Sequence, residues 1–236
     1  MSLRDMLSPA VEDYLKAIFI LQSDAPVSTS GLATRLGVSP ASVTNMVKRL
    51  SSLSLVTYKS YKGVRLTDAG EAIALEIIRH HRLLETYLRE VMGYDWEEMH
   101  REAEHLEHHI SEAFEERLDH MLGYPTHDPH GDPIPARDGT LVPVDADPLP
   151  DFPEGSSLIV RRVADTDIPT LKRLDTMGLL PGAEIRLVEV DRSSDTVILE
   201  QDDAPISLPI SLAEHVFVSE HQAVSNGSGQ NTPSTS

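Results

Sequence analysis

Through the first third of the chain, apolar residues recur at helical spacing and polar clusters punctuate them. SPAVEDYLKAIFILQSD predicts a helix, with Ser8 placed as its cap and Pro9 in its first turn. STSGLATRLGV reads as a short helix ending at Gly37, and SPASVTNMVKRLSSLSLV as a third, opening on Ser39 and Pro40 and burying Val43, Met46, Val47 and Leu50. Two helices joined by a tight turn containing Gly37 make a helix-turn-helix unit. After Leu55, VTYKSYKGVRLT has strand-forming residues on both sides of a Lys62-Gly63 turn and reads as a hairpin wing. TDAGE then restarts a helix, with Asp68 and Glu71 spaced as a capping box.

From Glu71 to about Leu122 the pattern stays helical. EAIALEIIRHHRLLETYLREVM is one helix, GYD interrupts it, and WEEMHREAEHLEHHISEAFEERLDHML is a second, ended by Gly123 and Pro125. Two antiparallel helices do not enclose a core alone, so they pack on the amino-terminal segment or on a second chain. Beyond Leu122, PTHDPHGDPIPARDGTLVPVDADPLPDFPEG is rich in Pro, Gly and Asp and reads as an extended connection. The pattern then switches to short alternating runs, SLIVRRV, EIRLVEV, TVILE, ISLPI and HVFVSE, which predict a small barrel. QAVSNGSGQNTPSTS closes the chain as low-complexity sequence.

The expected class is therefore mainly α with a β carboxy-terminal domain. Residues 1–73 form a winged helix-turn-helix domain, 74–142 a helical domain, 143–155 a Pro-rich linker, 156–220 the barrel and 221–236 a disordered tail. AIFIL is the longest early apolar run and Lys16 lies just before it, so neither a signal peptide nor a membrane span is expected, and a cytoplasmic location is. With no cysteine there is no disulfide framework and no thiolate metal site.

Net charge changes the picture once it is resolved along the chain. The total of −18 argues against nucleic acid, but residues 1–73 carry eight Lys/Arg against six Asp/Glu, while 74–153 carry six against 19 and 154–236 six against 13. No acid lies between Asp24 and Asp68, where Arg35, Lys48, Arg49, Lys59, Lys62 and Arg65 all fall. A basic island in an acidic chain is an electrostatic footprint for a polyanion. A recognition helix needs small polar residues near its start and cations behind them. Ser39, Pro40, Ala41, Ser42, Thr44 and Asn45 fill the first role and Lys48 and Arg49 the second, with Arg35 beside them and Lys59, Lys62 and Arg65 on the wing. Double-stranded DNA is the expected partner.

The acidic middle holds nine of the 11 histidines. His81 and Glu85 lie four apart and share a helix face; a surface hydrogen bond alone accounts for such a pair. In HREAEHLEHHISE, a continuous helix puts His100, Glu104, Glu107 and His108 within an arc of roughly 100°. Carboxylates and imidazoles clustered in this way suit a divalent cation that prefers oxygen and nitrogen donors. His80, His105 and His109 face elsewhere, and His120, His127 and His130 read as surface residues. Neither H-E-x-x-H nor H-x-x-E-H occurs, and there is no Gly-rich phosphate loop and no G-x-S-x-G. No catalytic residues are assigned, and the chain is not expected to be an enzyme.

A winged helix followed by RHHRLLE, HREAEHLEHHISE and DPHGDPIP resembles the diphtheria toxin repressor family of metal-dependent transcriptional regulators, in particular its manganese-responsive branch. The resemblance spans about residues 8–220, and DTDIPTLKRLDTMGLLPGAEI looks like the SH3-like domain of the longer members, itself similar to the FeoA-like domain of ferrous-iron transporters. It implies a homodimer joined through the middle helices, activated by Mn²⁺ or Fe²⁺ and binding a palindromic operator. It places a primary site on Asp13, Glu104, Glu107 and His108 and an ancillary site on His81, Glu85 and His100, with Asp167 as a barrel ligand. Glu104 stands where iron-responsive members have cysteine, which favours the harder Mn²⁺. The shorter manganese regulators carry a second acid one turn after the Asp13 position, and this chain has Lys16. Separated primary and ancillary sites are therefore expected in place of a close two-metal cluster. Two other readings remain open from the residues alone: a metal-using hydrolase or oxidase, and a winged-helix regulator sensing a small organic ligand.

Overall fold

The structure is a computed structural model that describes residues 7–23, 25–164 and 167–221. Two compact units divide between Val144 and Asp145. The tail expected beyond His221 lies outside the described residues.

In the first unit, α1 (Pro9–Leu21), α2 (Thr29–Leu36) and α3 (Pro40–Ser52) precede the hairpin of β1 (Val56–Lys59) and β2 (Gly63–Leu66). The capping chemistry explains the tight turn between α2 and α3. Gly37 takes φ +63° at the end of α2, a conformation that costs a side chain dearly, and Ser39 accepts from Ser42 N to open α3. Leu15, Ile18, Leu32, Val43, Val47 and Leu50 are fully buried where the three helices meet; each such large aliphatic side chain stabilises by roughly 1.5–3 kcal/mol. Met46, expected in that stripe, packs at its margin. The wing turns through Ser60, Tyr61 and Lys62, because Gly63 pairs with Lys59 inside the strands. This corrects the expected Lys62-Gly63 turn. Gly63 has φ +92°, and a Cβ there would lie 2.7 Å from Val27 O, which bridges to the wing at Val64.

α4 (Asp68–Glu90) packs against α1, α5 (Trp96–Leu106) and α6 (Glu112–Met121). Its cap is Thr67, which accepts from Gly70 N, so the expected Asp68/Glu71 capping box does not form: the third helical position is Gly70, which has no side chain to reach back. The single helix expected over 96–122 is two helices. α5 ends at Leu106, residues 107–111 turn, and Ser111 accepts from Phe114 N to start α6, with Glu112 and Glu115 favourable in its first turn.

The segment after Leu122 is docked rather than extended. Ile134 N donates to Thr126 O, Asp128 Oδ1 accepts from His130 N and Asp132 N, and Arg79 and Arg82 donate to Pro135 O and Pro133 O. A run of Pro and Gly predicts irregular backbone correctly but says nothing about what it packs on.

The second unit is a six-stranded antiparallel sheet in the order β3 (Asp147–Pro148), β8 (Val216–Glu220), β4 (Ser157–Val163), β5 (Glu184–Asp191), β6 (Thr196–Gln201), β7 (Ala204–Pro209). Alternate residues Leu158, Val160, Leu187, Val197, Leu199, Val216 and Val218 are buried with Leu171 and Leu174 of α7 (Ile168–Thr176), while α8 (Ile210–Ala213) links β7 to β8. All five expected strands are present. The sixth lies within the stretch read as linker, where Asp147 and Pro148 pair with β8 and Leu149 is fully buried. Among the described residues no helix is long and apolar enough to cross a membrane.

Candidate metal centre and nucleic-acid face

Three helices and one turn converge on a chain of carboxylates and imidazoles. α1 supplies Glu12, Asp13 and Lys16, α4 supplies His80, His81 and Glu85, α5 supplies His100 and Glu104, and the turn after α5 supplies Glu107 and His108. α5 stops at Leu106, but Glu107 keeps helical dihedrals as its C-cap and its N–H bonds to Ala103 O, so it stays on the face that α5 presents. Glu107 points inward with no solvent exposure, and His80 Nδ1 hydrogen-bonds its carbonyl at 3.1 Å.

Around His108, Asp13 Oδ1 lies 3.0 Å from Nε2, Glu12 Oε2 lies 2.6 Å from Nδ1, and Glu107 Oε1 lies 3.6 Å from Nε2. Burial lowers the His108 pKa, but the hydrogen bonds to Asp13 and Glu12 outweigh it and raise the value to about 9. A second group centres on Glu85. Its Oε1 is 3.0 Å from His81 Nε2, 3.0 Å from His100 Nδ1 and 3.7 Å from His130 Nε2. Burial would push the Glu85 carboxyl up, yet His81, His100 and His130 hold it well below the carboxylate range. The third group is His81, Glu104 and Glu107, with His81 Nδ1 hydrogen-bonded to Glu107 Oε2.

In each of the groups Asp13/Glu107/His108, His81/Glu85/His100 and His81/Glu104/Glu107, the donor atoms lie within 4.8 Å of one another. The donors are carboxylate oxygens and imidazole nitrogens without sulfur, a set that fits a hard or borderline dication. Buried Glu85 and Glu107 also require compensating positive charge, which a dication would add. Of the four residues expected as a primary site, Asp13, Glu107 and His108 come together, while Glu104 is drawn to Lys16 at 2.9 Å. His81, Glu85 and His100, expected together, are together. Asp167 caps α7, its Oδ1 accepting from Thr170 N and its Oδ2 from Thr170 Oγ1.

The sequence reading missed several groups. Glu12 is 3% exposed, and the sign available was its position three residues before buried Leu15, on the apolar side of α1. His130, read as a surface residue, is 1% exposed and lies tilted against the Trp96 ring with centroids 4.8 Å apart, and Arg89 Cζ lies over the same ring at 4.4 Å. Beside it, burial raises the Asp128 carboxyl to about 7 against the opposing pull of His130. His80, expected to face elsewhere, is fully buried and links Glu107 to Glu115, which Arg79 also holds. His105, His109, His120 and His127 are exposed.

On the winged helix-turn-helix, Arg35, Ser39, Pro40, Ala41, Ser42, Asn45, Lys48, Arg49, Lys59 and Lys62 are exposed, and Thr44 and Arg65 are half-buried. Tyr61 stands at the wing tip with its whole side chain in solvent. Ser39 Oγ is engaged in the α3 cap and Thr44 Oγ1 donates to Pro40 O, so those two hydroxyls already have protein partners.

Compared with known families, residues 6–64 match the iron dependent repressor N-terminal DNA binding domain, 67–136 the iron dependent repressor metal binding and dimerisation domain, and 148–220 the FeoA domain. The chain is 31% identical over 229 residues to the iron-dependent repressor IdeR of Mycobacterium leprae (strain TN), covering 90% of this chain and 97% of that one. It is 34% identical over 120 residues to the HTH-type transcriptional regulator MntR of Bacillus subtilis (strain 168), covering 50% of this chain and 84% of that one. Among solved structures, it is similar to a manganese-dependent transcriptional repressor in complex with manganese, with TM-score 0.81 and 35% identity over 89% of this chain and 100% of that one.

Proposed function

This chain belongs to the iron-dependent repressor family, also called the diphtheria toxin repressor family, and from that premise we propose that it is a manganese-activated cytoplasmic repressor of metal-uptake genes. It is a metal-dependent DNA-binding transcriptional repressor with a DNA-binding domain, a dimerisation domain and an SH3-like FeoA domain, in a family that includes both iron- and manganese-dependent members. Its relatives are transcriptional regulators rather than enzymes.

The observation that carries the reading is the 3.0 Å approach of Asp13, on the first helix of the winged helix-turn-helix, to His108, in the turn after α5. We assign Asp13, Glu107 and His108 to the primary metal, with Glu104 as the fourth ligand, and His81, Glu85 and His100 to the ancillary one. A bound dication supplies the positive charge that these carboxylates otherwise find in each other's partners. Asp13 ties α1 to the helical domain, and Glu107 is held from behind by His80. In a two-fold dimer, fixing α1 fixes the distance between the two α3 helices, so the operator is a palindrome. Ser39, Pro40, Ala41, Ser42, Thr44 and Asn45 are assigned to the groove, and Arg35, Lys48, Arg49, Lys59, Lys62 and Arg65 to phosphate. Moving the DNA-competent population from 1:99 to 99:1 takes about 10⁴-fold preferential metal binding to that state, which two sites per protomer share.

The test uses full-length protein and a duplex selected by its metal-loaded form from a random library. Binding measured by gel shift is expected to require Mn²⁺ and to vanish with chelator, and Asp13→Ala is expected to abolish the metal response while the dimer persists. Equal affinity in chelator and in Mn²⁺ would refute the metal-dependent reading and favour a winged-helix regulator with some other signal.

A further inference from the structure

Lys16 lies one turn after Asp13 and its ammonium enters the metal centre from the same side of α1. Nζ is 2.9 Å from Glu104 Oε1, 2.8 and 3.0 Å from the two oxygens of Glu107, and 3.2 Å from His81 Nδ1. Glu104, Glu107 and His81 are themselves one of the three groups with ligand spacing. A lysine therefore occupies the centre of a potential cation site. Since His81 Nδ1 already hydrogen-bonds Glu107, the 3.2 Å approach to His81 is a contact between two cation-bearing groups that share one carboxylate. The Lys16 side chain is only 11% exposed and that of Glu107 has no exposure, so the pair is shielded from the salt and water that make surface ion pairs weak. The contact has a positional counterpart: Glu104, held by Lys16, groups with His81 and Glu107 rather than with Asp13 and His108.

We propose that Lys16 is an internal competitor for metal, an ammonium tethered among the primary-site carboxylates that sets the metal concentration at which the protein loads. The proposal rests on the assignment of Asp13, Glu104, Glu107 and His108 to the primary site. A dication at Asp13, Glu107 and His108 gains Glu104 only by drawing it out of the Lys16 ion pair, and it must share Glu107 with the same ammonium. Each of those exchanges subtracts from the apparent affinity. Removing the charge takes one cation from Glu104 and Glu107 and leaves the two carboxylates close together with His81 beside them, an arrangement whose remaining repulsion a dication relieves. Keeping the charge, as arginine does, keeps the competition. Lys16 thus acts on metal binding through Glu104 and Glu107, as a positioning residue rather than a ligand.

The test is Mn²⁺ binding to full-length protein by titration calorimetry, comparing wild type with Lys16→Met, which keeps the length of the side chain, and Lys16→Arg, which keeps the charge. Lys16→Met is expected to bind Mn²⁺ at least tenfold more tightly and Lys16→Arg within threefold of wild type. Lys16→Met at wild-type affinity or weaker overturns the proposal, since the lysine would then be neutral or would help organise the ligands. Thermal melts in chelator establish that each variant is folded. A second measurement needs no variant: reductive methylation read by mass spectrometry should find Lys16 protected without metal and more reactive with Mn²⁺, as its carboxylate partners are withdrawn. Equal labelling in both conditions also overturns the proposal. If wild type takes up no Mn²⁺, or takes it up undiminished after Asp13→Ala, the metal-centre assignment itself has failed, and that result is distinct from a failure of the lysine's role.

Discussion

Glu115 sits between Arg79 and His80 beside the metal centre. Arg79 Nε donates to its Oε1 at 2.7 Å and His80 Nε2 lies 2.8 Å from its Oε2, while His80 Nδ1 lies 3.1 Å from Glu107 O. Burial alone would raise the Glu115 carboxyl, but the bonds to His80 and Arg79 outweigh it and bring the pKa from 4.5 to about 2. A depressed carboxylate contributes stability that is present above pH 4.5 and lost as pH falls through about 2. Metal-free protein is therefore expected to lose thermal stability across that window. Glu115→Gln should melt lower than wild type at pH 6, with the gap closing as the pH approaches 2; a constant gap would show that Glu115 does not titrate as described. None of this was legible in the residue's own neighbourhood. An acid in the first turn of a helix is ordinary, and only the packing of α4 on α6 puts Arg79 and His80 beside it.

Elements were more legible than residues because caps and periodicity are local. The Ser39-Pro40 start of α3, the Gly37 stop before it and the alternation in β4 and β6 all lie within a few residues of what they determine. The break between α5 and α6 was missed although Ser111, followed by Glu112 and Glu115, is itself a helix-start signal. The apolar and acidic period runs unbroken across 107–111 and masked it. Gly70 shows a constraint no local pattern contains. A Cβ there would lie 2.0 Å from Leu55 O, because the start of α4 presses on the end of the segment that follows α3. Gly70→Ala improves helix propensity, yet it is expected to destabilise the fold by at least about 2 kcal/mol through overpacking against backbone. Chemical denaturation of the variant measures this directly, and a midpoint at or above that of wild type would contradict the close approach.

At the scale of the molecule, charge is segregated: an acid-free stretch carries Arg35, Lys48, Arg49, Lys59, Lys62 and Arg65 in a chain of net charge −18. If these six side chains reach phosphate, operator affinity should fall with salt at a log–log slope of roughly −5.4 per protomer, about −11 for a dimer. Lys62→Ala, at the wing, should weaken binding on any duplex and make the slope shallower by about 0.9 per protomer. A dimer slope much shallower than about −8 would mean that several of these cations miss the backbone. The sequence by itself determined the winged helix, the strand pattern of the second unit, the basic footprint and the residue types of a sulfur-free metal centre, because periodicity, turn residues, charge and donor chemistry are properties of short stretches. Tertiary structure alone decided that Glu12 and Asp13 flank His108, that Lys16 stands between Glu104 and Glu107, and that His130 joins Glu85. Those contacts join α1, α4, the turn after α5 and the docked 126–134 segment, and side chains so far apart along the chain meet only where the packing of their elements brings them.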